Sequence, residues 1–94
     1  MKVGTDAVLL GAWAGTTDCS LILDIGTGCG IIALMLAQRS QAVVDAIEIN
    51  EQCAAQASLN AAQSPWANRI QVLNRSWQDY VRETRERYDL IVTN

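Results

Sequence analysis

The sequence predicts an α/β domain built on a parallel sheet with helices on both faces. Three observations lead to it. Four short apolar stretches, at 20–25, 42–49, 70–73 and 88–93, alternate with helix-forming stretches of about ten residues, the pattern of strand–helix–strand crossovers. A glycine turn, Gly26-Thr27-Gly28-Cys29-Gly30, joins the first of these stretches to the helix that follows. An acid, Glu48, stands at the end of the second.

Taken in order, Thr5 or Asp6 can cap a short helix over Ala7–Trp13, with Val8, Leu9, Ala12 and Trp13 on one side. Gly15 to Asp18 breaks it. Ser20–Ile25 is a branched apolar run bounded by glycine, as expected of a strand buried on both faces. Ile31–Gln38 holds strong helix formers and no breaker. Ala42–Ile49 reads as a second buried strand, and Asn50 as the N-cap of an alanine-rich helix, Glu51–Gln63. Ser64-Pro65-Trp66 closes that helix, because proline cannot continue it and restricts the residue before it. Ile70–Leu73 is a third strand, Trp77–Glu86 a helix, and Tyr88–Thr93 a fourth strand ending at Asn94.

Composition narrows the function classes. With 94 residues, half of them hydrophobic and 18% charged, the chain is a folded unit of at most one domain. A single proline and six glycines leave no linker. No run approaches the ~20 apolar residues of a membrane span, and no signal-peptide pattern is present. The expected location is the cytoplasm, with no membrane partner. Cys19, Cys29 and Cys53 are scattered and the chain has no histidine, so no metal site is expected and the thiols read as reduced. A net charge of −3 argues against a nucleic-acid module standing alone. Arg82, Arg85 and Arg87 are interleaved with Glu83 and Glu86 and read as a solvated helix face. Any grip on a nucleic acid is expected to lie mostly outside these residues. Trp13, Trp66 and Trp77, spread over three elements, read as packing residues.

The chemistry sits in Asp24-x-Gly26-x-Gly28-x-Gly30 and in Glu48, which follows Gly30 by 18 residues. Glycines serve where the backbone takes positive φ or where a ligand approaches the main chain, and N–H groups at a helix start favour a negative group. An acid at the end of the second strand can accept hydrogen bonds from a ribose hydroxyl pair. Two cofactors suit this much. Dinucleotide turns follow G-x-G-x-x-G. Here the third glycine comes one residue early, and an acid precedes the first glycine by two. That combination looks like the first motif of S-adenosylmethionine methyltransferases, a cofactor without a pyrophosphate, whose methionine amino group Asp24 would face.

Longer blocks carry a closer resemblance. Lys2-Val3-Gly4-Thr5-Asp6 with the LLGAWA that follows, LDIGTGCGIIALMLAQR, AIEINEQCAAQA, SPWANRIQV and YDLIVTN are together similar to the bacterial tRNA(Val) adenine-N(6)-methyltransferase family. The KVGTD-LLGAWA and SPW-RI blocks are the specific parts of the match, which covers nearly the whole chain. The resemblance implies a Rossmann-like class I methyltransferase fold with strand order 3-2-1-4-5-7-6. The 94 residues would then be a single partial domain, the S-adenosylmethionine-binding half, with the first four strands as the contiguous set 3-2-1-4. A bare edge on the fourth strand invites self-association.

The same resemblance implies methyl transfer from S-adenosylmethionine to the exocyclic amine of an adenine beside the anticodon, with tRNA as partner of the parent enzyme. Asn94 matches the first residue of the family's catalytic Asn-Pro-Pro-Tyr, so the chain alone is expected to be inactive, and Met1 to be an internal residue or an artificial start. The cofactor-binding set becomes Thr5, Asp24, Gly26, Thr27, Gly28, Gly30, Glu48 and Asp79. Ser76 stands where the family places an aspartate toward the cofactor's adenine, with Asp79 three positions on. Asn50 replaces another family acid. Three further readings stay open: an Asn-Pro-Pro-Tyr methyltransferase acting on a release-factor glutamine, a non-catalytic nucleoside-binding domain, and a nicotinamide-dependent oxidoreductase.

Overall fold

The computed structural model describes residues 19–93. Four parallel strands, β1 (Leu21–Ile25), β2 (Val43–Ile47), β3 (Ile70–Leu73) and β4 (Leu90–Thr93), form one sheet in the order β3-β2-β1-β4. Helices α1 (Ile31–Gln38), α2 (Glu51–Ala62) and α3 (Trp77–Glu83) connect them, and a 3-10 turn at Ala67–Arg69 leads into β3. This is the strand order expected. The expected helix over Ala7–Trp13 lies outside the described residues, as do Thr5 and Asn94.

Apart from Asp24 and Asp45, the two central strands are apolar because both of their faces are covered. On one face, Ile22, Val44, Ala46 and Val92 meet Ala33, Leu36 and Ala37 of α1. On the other, Leu23 and Ile47 meet Tyr80 of α3. Ile22 and Leu36 are fully buried, each worth roughly 2–3 kcal/mol of apolar burial.

Helix α2 starts where the Asn50 side chain accepts the Cys53 N–H at 2.9 Å. It buries only a narrow stripe, Ala54, Ala57 and Ala61. The SPW-ANRI segment then has a structural task. Ser64 Oγ donates to the Ala61 carbonyl, Trp66 packs against the larger core cluster, and the Arg69 guanidinium donates to the carbonyls of Ala42 (2.7 Å) and Ala37 (2.8 Å). Arg69 thereby ties the entry to β3 to the end of α1 and the entry to β2.

Several elements are shorter than the apolar pattern suggests: β2, expected over Ala42–Ile49, spans only Val43–Ile47, and two more differ near the end of the chain. The helix expected to run to Glu86 ends at Glu83, because Thr84 is extended (φ −73°, ψ 143°) and its hydroxyl accepts the Glu86 N–H. Threonine offers the backbone a local alternative to the helix ladder. Arg85 and Arg87 therefore follow the helix rather than sharing a face with Arg82, although all three are exposed. Strand β4 begins at Leu90, not Tyr88. The Tyr88 hydroxyl turns inward, donating to the Asp45 carboxylate at 2.7 Å and bonding the Tyr80 hydroxyl. Burial pushes the Tyr88 phenol up, so it remains a donor. Asp89 then pegs β4 to β1: its carboxylate accepts the N–H groups of Ser20 (2.7 Å) and Leu21 (3.0 Å), and its own N–H donates to the Leu21 carbonyl. Those two N–H groups hold the Asp89 carboxyl below the ordinary aspartate value.

Candidate cofactor site

Parallel pairing sets Ile25 level with Ile47 and Thr93, and Ile47 level with Leu73. All four strands end at this edge, so their connections gather there. A cavity of about 540 Å³ opens on it. Ile25, Gly26, Ile47, Glu48 and Ile49 line it from β1 and β2, Thr93 from β4, and Arg75, Ser76, Trp77 and Gln78 from the entry to α3.

The glycine turn has positive φ at Gly26 (74°), Gly28 (60°) and Gly30 (91°). Four of its N–H groups are bonded within the chain rather than turned outward as the sequence pattern suggested. Those of Gly26 and Thr27 donate to the Ile47 carbonyl at 2.8 and 3.0 Å, that of Gly30 to Thr27 at 2.9 Å, and that of Gly28 to Glu48 Oε1 at 2.8 Å. Four donors that a pyrophosphate would need are thus spent within the chain. A Cβ on Gly28 would meet nothing within 4 Å, so the crest of the turn is open, whereas one on Gly30 would stand 3.3 Å from Ala57 Cβ. The third glycine therefore lets α1 start against α2.

Glu48 is held from several directions. Oε1 accepts from Gly28 and Oε2 from the Asn50 N–H at 3.0 Å. Its backbone N–H donates to Leu73, and Asn74 Nδ2 donates to the carbonyls of Glu48 (2.8 Å) and Ile49 (3.1 Å). A carboxylate offers about four acceptor positions. Two remain for a ligand in the cavity.

Asp24 is buried beneath the turn, where Thr27 Oγ1 donates to it at 2.7 Å. Burial pushes its carboxyl up to about 6; the Thr27 bond opposes this and the nearby charge of Glu48 adds to it. Asp24 and Thr27 are brought to the site but support the turn and do not line the cavity, whereas Gly26 and Glu48 line it. Asp79 lies exposed on the first turn of α3, off the cavity wall, and its N–H donates to Ser76 Oγ at 3.2 Å. Ser76 lines the cavity and caps α3 at once.

Sequence reasoning missed the apolar walls. Ile49 and Trp77 are large side chains left 71% and 49% exposed, both on the cavity. Trp77 is thus no packing residue of the core. The available signal was positional: Ile49 follows Glu48, and Trp77 follows the cap that begins α3. The donor set suits a nucleoside, with apolar walls for a flat ring and a carboxylate for a hydroxyl pair, and leaves little for a dinucleotide's phosphates.

A parallel sheet in this order, with a glycine turn and an acid at its carboxyl edge, defines the Rossmann-like fold of class I methyltransferases. The chain belongs to the methyltransferase small domain family, whose model matches residues 4–94. It is 60% identical over 94 residues to the tRNA1(Val) (adenine(37)-N6)-methyltransferase of Parabacteroides distasonis, and 54% identical over 96 residues to that of Proteus mirabilis. All of this chain is matched in both cases, but it spans only 40% and 38% of those two proteins. Among solved structures, ribosomal protein L11 methylase from Lactobacillus delbrueckii subsp. bulgaricus superimposes with a TM-score of 0.77 at 26% identity, over 97% of this chain and 45% of that one.

Proposed function

We propose that this chain is the S-adenosylmethionine-binding part of a cytoplasmic methyltransferase that modifies the exocyclic amine of an adenine in tRNA(Val). The cavity at the carboxyl edge, with Glu48 on its wall and the open crest of the glycine turn beside it, carries the cofactor half of this reading. The names of the relatives at 60% and 54% identity support the substrate half. The described residues contain no helix long and apolar enough to cross a membrane.

When bound, the cofactor supplies an electrophilic methyl group on a sulfonium centre. Glu48 accepts the ribose hydroxyls with the acceptor positions that Gly28 and Asn50 leave, and those two N–H groups hold its carboxylate in place. Asp24 places negative charge under the turn, against the ammonium of the methionine moiety. Ile49 and Trp77 offer apolar cavity wall against which a planar base can be shielded from water. Asn94 follows Thr93, a cavity residue, in the chain, and in the parent enzyme its side-chain carbonyl would accept a hydrogen bond from the target amine. Thr5, which the resemblance adds to the cofactor-binding set, lies outside the described residues.

Calorimetric titration with S-adenosylhomocysteine, in parallel with NADH and with a Glu48→Ala variant, tests this. Saturable binding of the first ligand alone, weakened at least tenfold by the variant, is the expected result. NADH binding in its place would overturn the methyltransferase reading.

A further inference from the structure

The glycine turn is held from two sides. Ile47 and Glu48 take the N–H groups of Gly26, Thr27 and Gly28. The second hold comes from α2. Asn60, half-buried near the end of that helix, donates from Nδ2 to the Cys29 carbonyl at 2.8 Å, across 31 residues of chain. One turn earlier, Gln56 donates from Nε2 to Asn60 Oδ1 at 3.0 Å. A carbonyl can only accept, so the amide nitrogen of Asn60 must face Cys29, and the Gln56 bond favours the same orientation.

The peptide between Cys29 and Gly30 is thus fixed at both ends, because the Gly30 N–H donates to Thr27 at 2.9 Å. Without such ties it would be free to turn over. Glycine takes φ of either sign with ease, and Gly28 and Gly30, at 60° and 91°, flank Cys29. Turning over would exchange the directions of the carbonyl and the N–H. Asn60 keeps the carbonyl on α2, whereas the side of the turn at Gly28 is open. Of the five N–H groups from Gly26 to Gly30, that of Cys29 alone bonds nothing among the described residues. A turn held in this way keeps one donor for an anionic group and withdraws an acceptor that would repel it.

We propose that Asn60 is a positioning residue for the cofactor: by holding the Cys29 carbonyl on α2, it sets the turn to receive the carboxylate-bearing end of the methionine moiety. The inference rests on the S-adenosylmethionine reading above and adds a residue off the cavity wall, which acts through the turn and touches no ligand. Its effect is confined to ligands that carry the amino-acid end. The adenosine end rests on Glu48, Ile49 and Trp77, which the Asn60 bonds do not reach.

The test is calorimetry at pH 7 on the full 94-residue chain with S-adenosylhomocysteine and with 5′-methylthioadenosine, which keeps the nucleoside and thioether but lacks the amino and carboxyl groups. Wild type is compared with Asn60→Leu, with Asn60→Asp, which keeps the shape and can still accept from Gln56, and with Ala61→Gly, which weakens α2 but retains Asn60. Far-ultraviolet circular dichroism checks that each is folded. Wild type is expected to prefer S-adenosylhomocysteine by about tenfold or more, the scale of a hydrogen bond to a charged group. Neither Asn60 variant can donate to the carbonyl, so both should lose most of that preference through weaker binding of S-adenosylhomocysteine, with 5′-methylthioadenosine bound as in wild type. Ala61→Gly should keep the preference. An equal loss of both ligands in the Asn60 variants, an unchanged preference in them, or a lost preference in Ala61→Gly overturns the positioning role and leaves the cofactor reading standing. Wild type that binds the two ligands equally does the same. Wild type that binds neither defeats the cofactor reading itself, and this inference with it.

Discussion

Glu48 Oε1 accepts the Gly28 N–H at 2.8 Å across 20 residues of chain, joining the acid after β2 to the turn after β1. The two motifs are therefore one structure before any ligand arrives. The bond orients the carboxylate and uses the donor that a phosphate would otherwise claim. It also makes Glu48 a stability residue. Glu48→Gln keeps the shape but loses the charge, and its amide cannot accept from both Gly28 and Asn50. We expect a loss of about 1–2 kcal/mol in urea unfolding, in addition to weaker ligand binding.

Asp24 makes stability depend on pH in a known direction. Its carboxyl rises from an ordinary 3.8 to about 6 on folding, so the folded state holds the proton longer than the unfolded one. Its contribution is fully present below about 4 and is lost as pH rises through 6. Asp24→Asn should match wild type near pH 4 and exceed it at pH 7 by on the order of 2 kcal/mol. Urea midpoints measured from pH 4 to 7 for both proteins check this, and parallel curves would refute it.

Gly30 and Gly28 should differ in their tolerance of a side chain. Both have positive φ, which costs an alanine roughly 1 kcal/mol. Gly30→Ala also presses a methyl group against Ala57 at 3.3 Å, whereas Gly28→Ala meets open space. Thermal unfolding should place Gly30→Ala lower than Gly28→Ala. Ligand binding should reverse the order, since the crest at Gly28 is the open approach.

Tyr88 keeps a buried acid satisfied. Its hydroxyl donates to Asp45, which lies 6% exposed on β2. Tyr88→Phe leaves that carboxylate without this donor and should cost about 1–3 kcal/mol. A double-mutant cycle with Asp45→Ala should recover part of the loss, because the acid is then absent. Strict additivity would mean that the pair is not coupled.

Strand β4 pairs with β1 alone among the described residues, and Ile91 on it is 56% exposed. An unpaired edge of this kind recruits further strands. We expect concentration-dependent self-association of the 94-residue chain in sedimentation velocity, reduced by Ile91→Lys. A sharp monomeric boundary at high concentration would count against it.

The alternation of strands and helices, the glycine turn, the Asn50 cap and the closure at Ser64-Pro65-Trp66 were all legible in the sequence. Each depends on residues within a few positions, where burial period, φ preference and capping act directly. The ends of α3 and β4 were not, because Thr84 and Tyr88 are drawn away from the regular ladder by partners the apolar pattern does not contain. Half of the site was equally hidden. Glycines and an acid declare themselves by type and spacing, but a wall does not: Ile49, Trp77 and Gln78 are ordinary residues until the parallel register gathers the strand ends. By itself, then, the sequence determined the order of the elements and the identity of the turn and its acid. Only the tertiary structure decided that Gly28 donates to Glu48, that Arg69 reaches the carbonyls of Ala37 and Ala42, and that Trp77 faces a cavity instead of the core. Those contacts join residues from different strands and helices, and their distances are set by how the sheet pairs and where each helix lies on it, not by proximity along the chain.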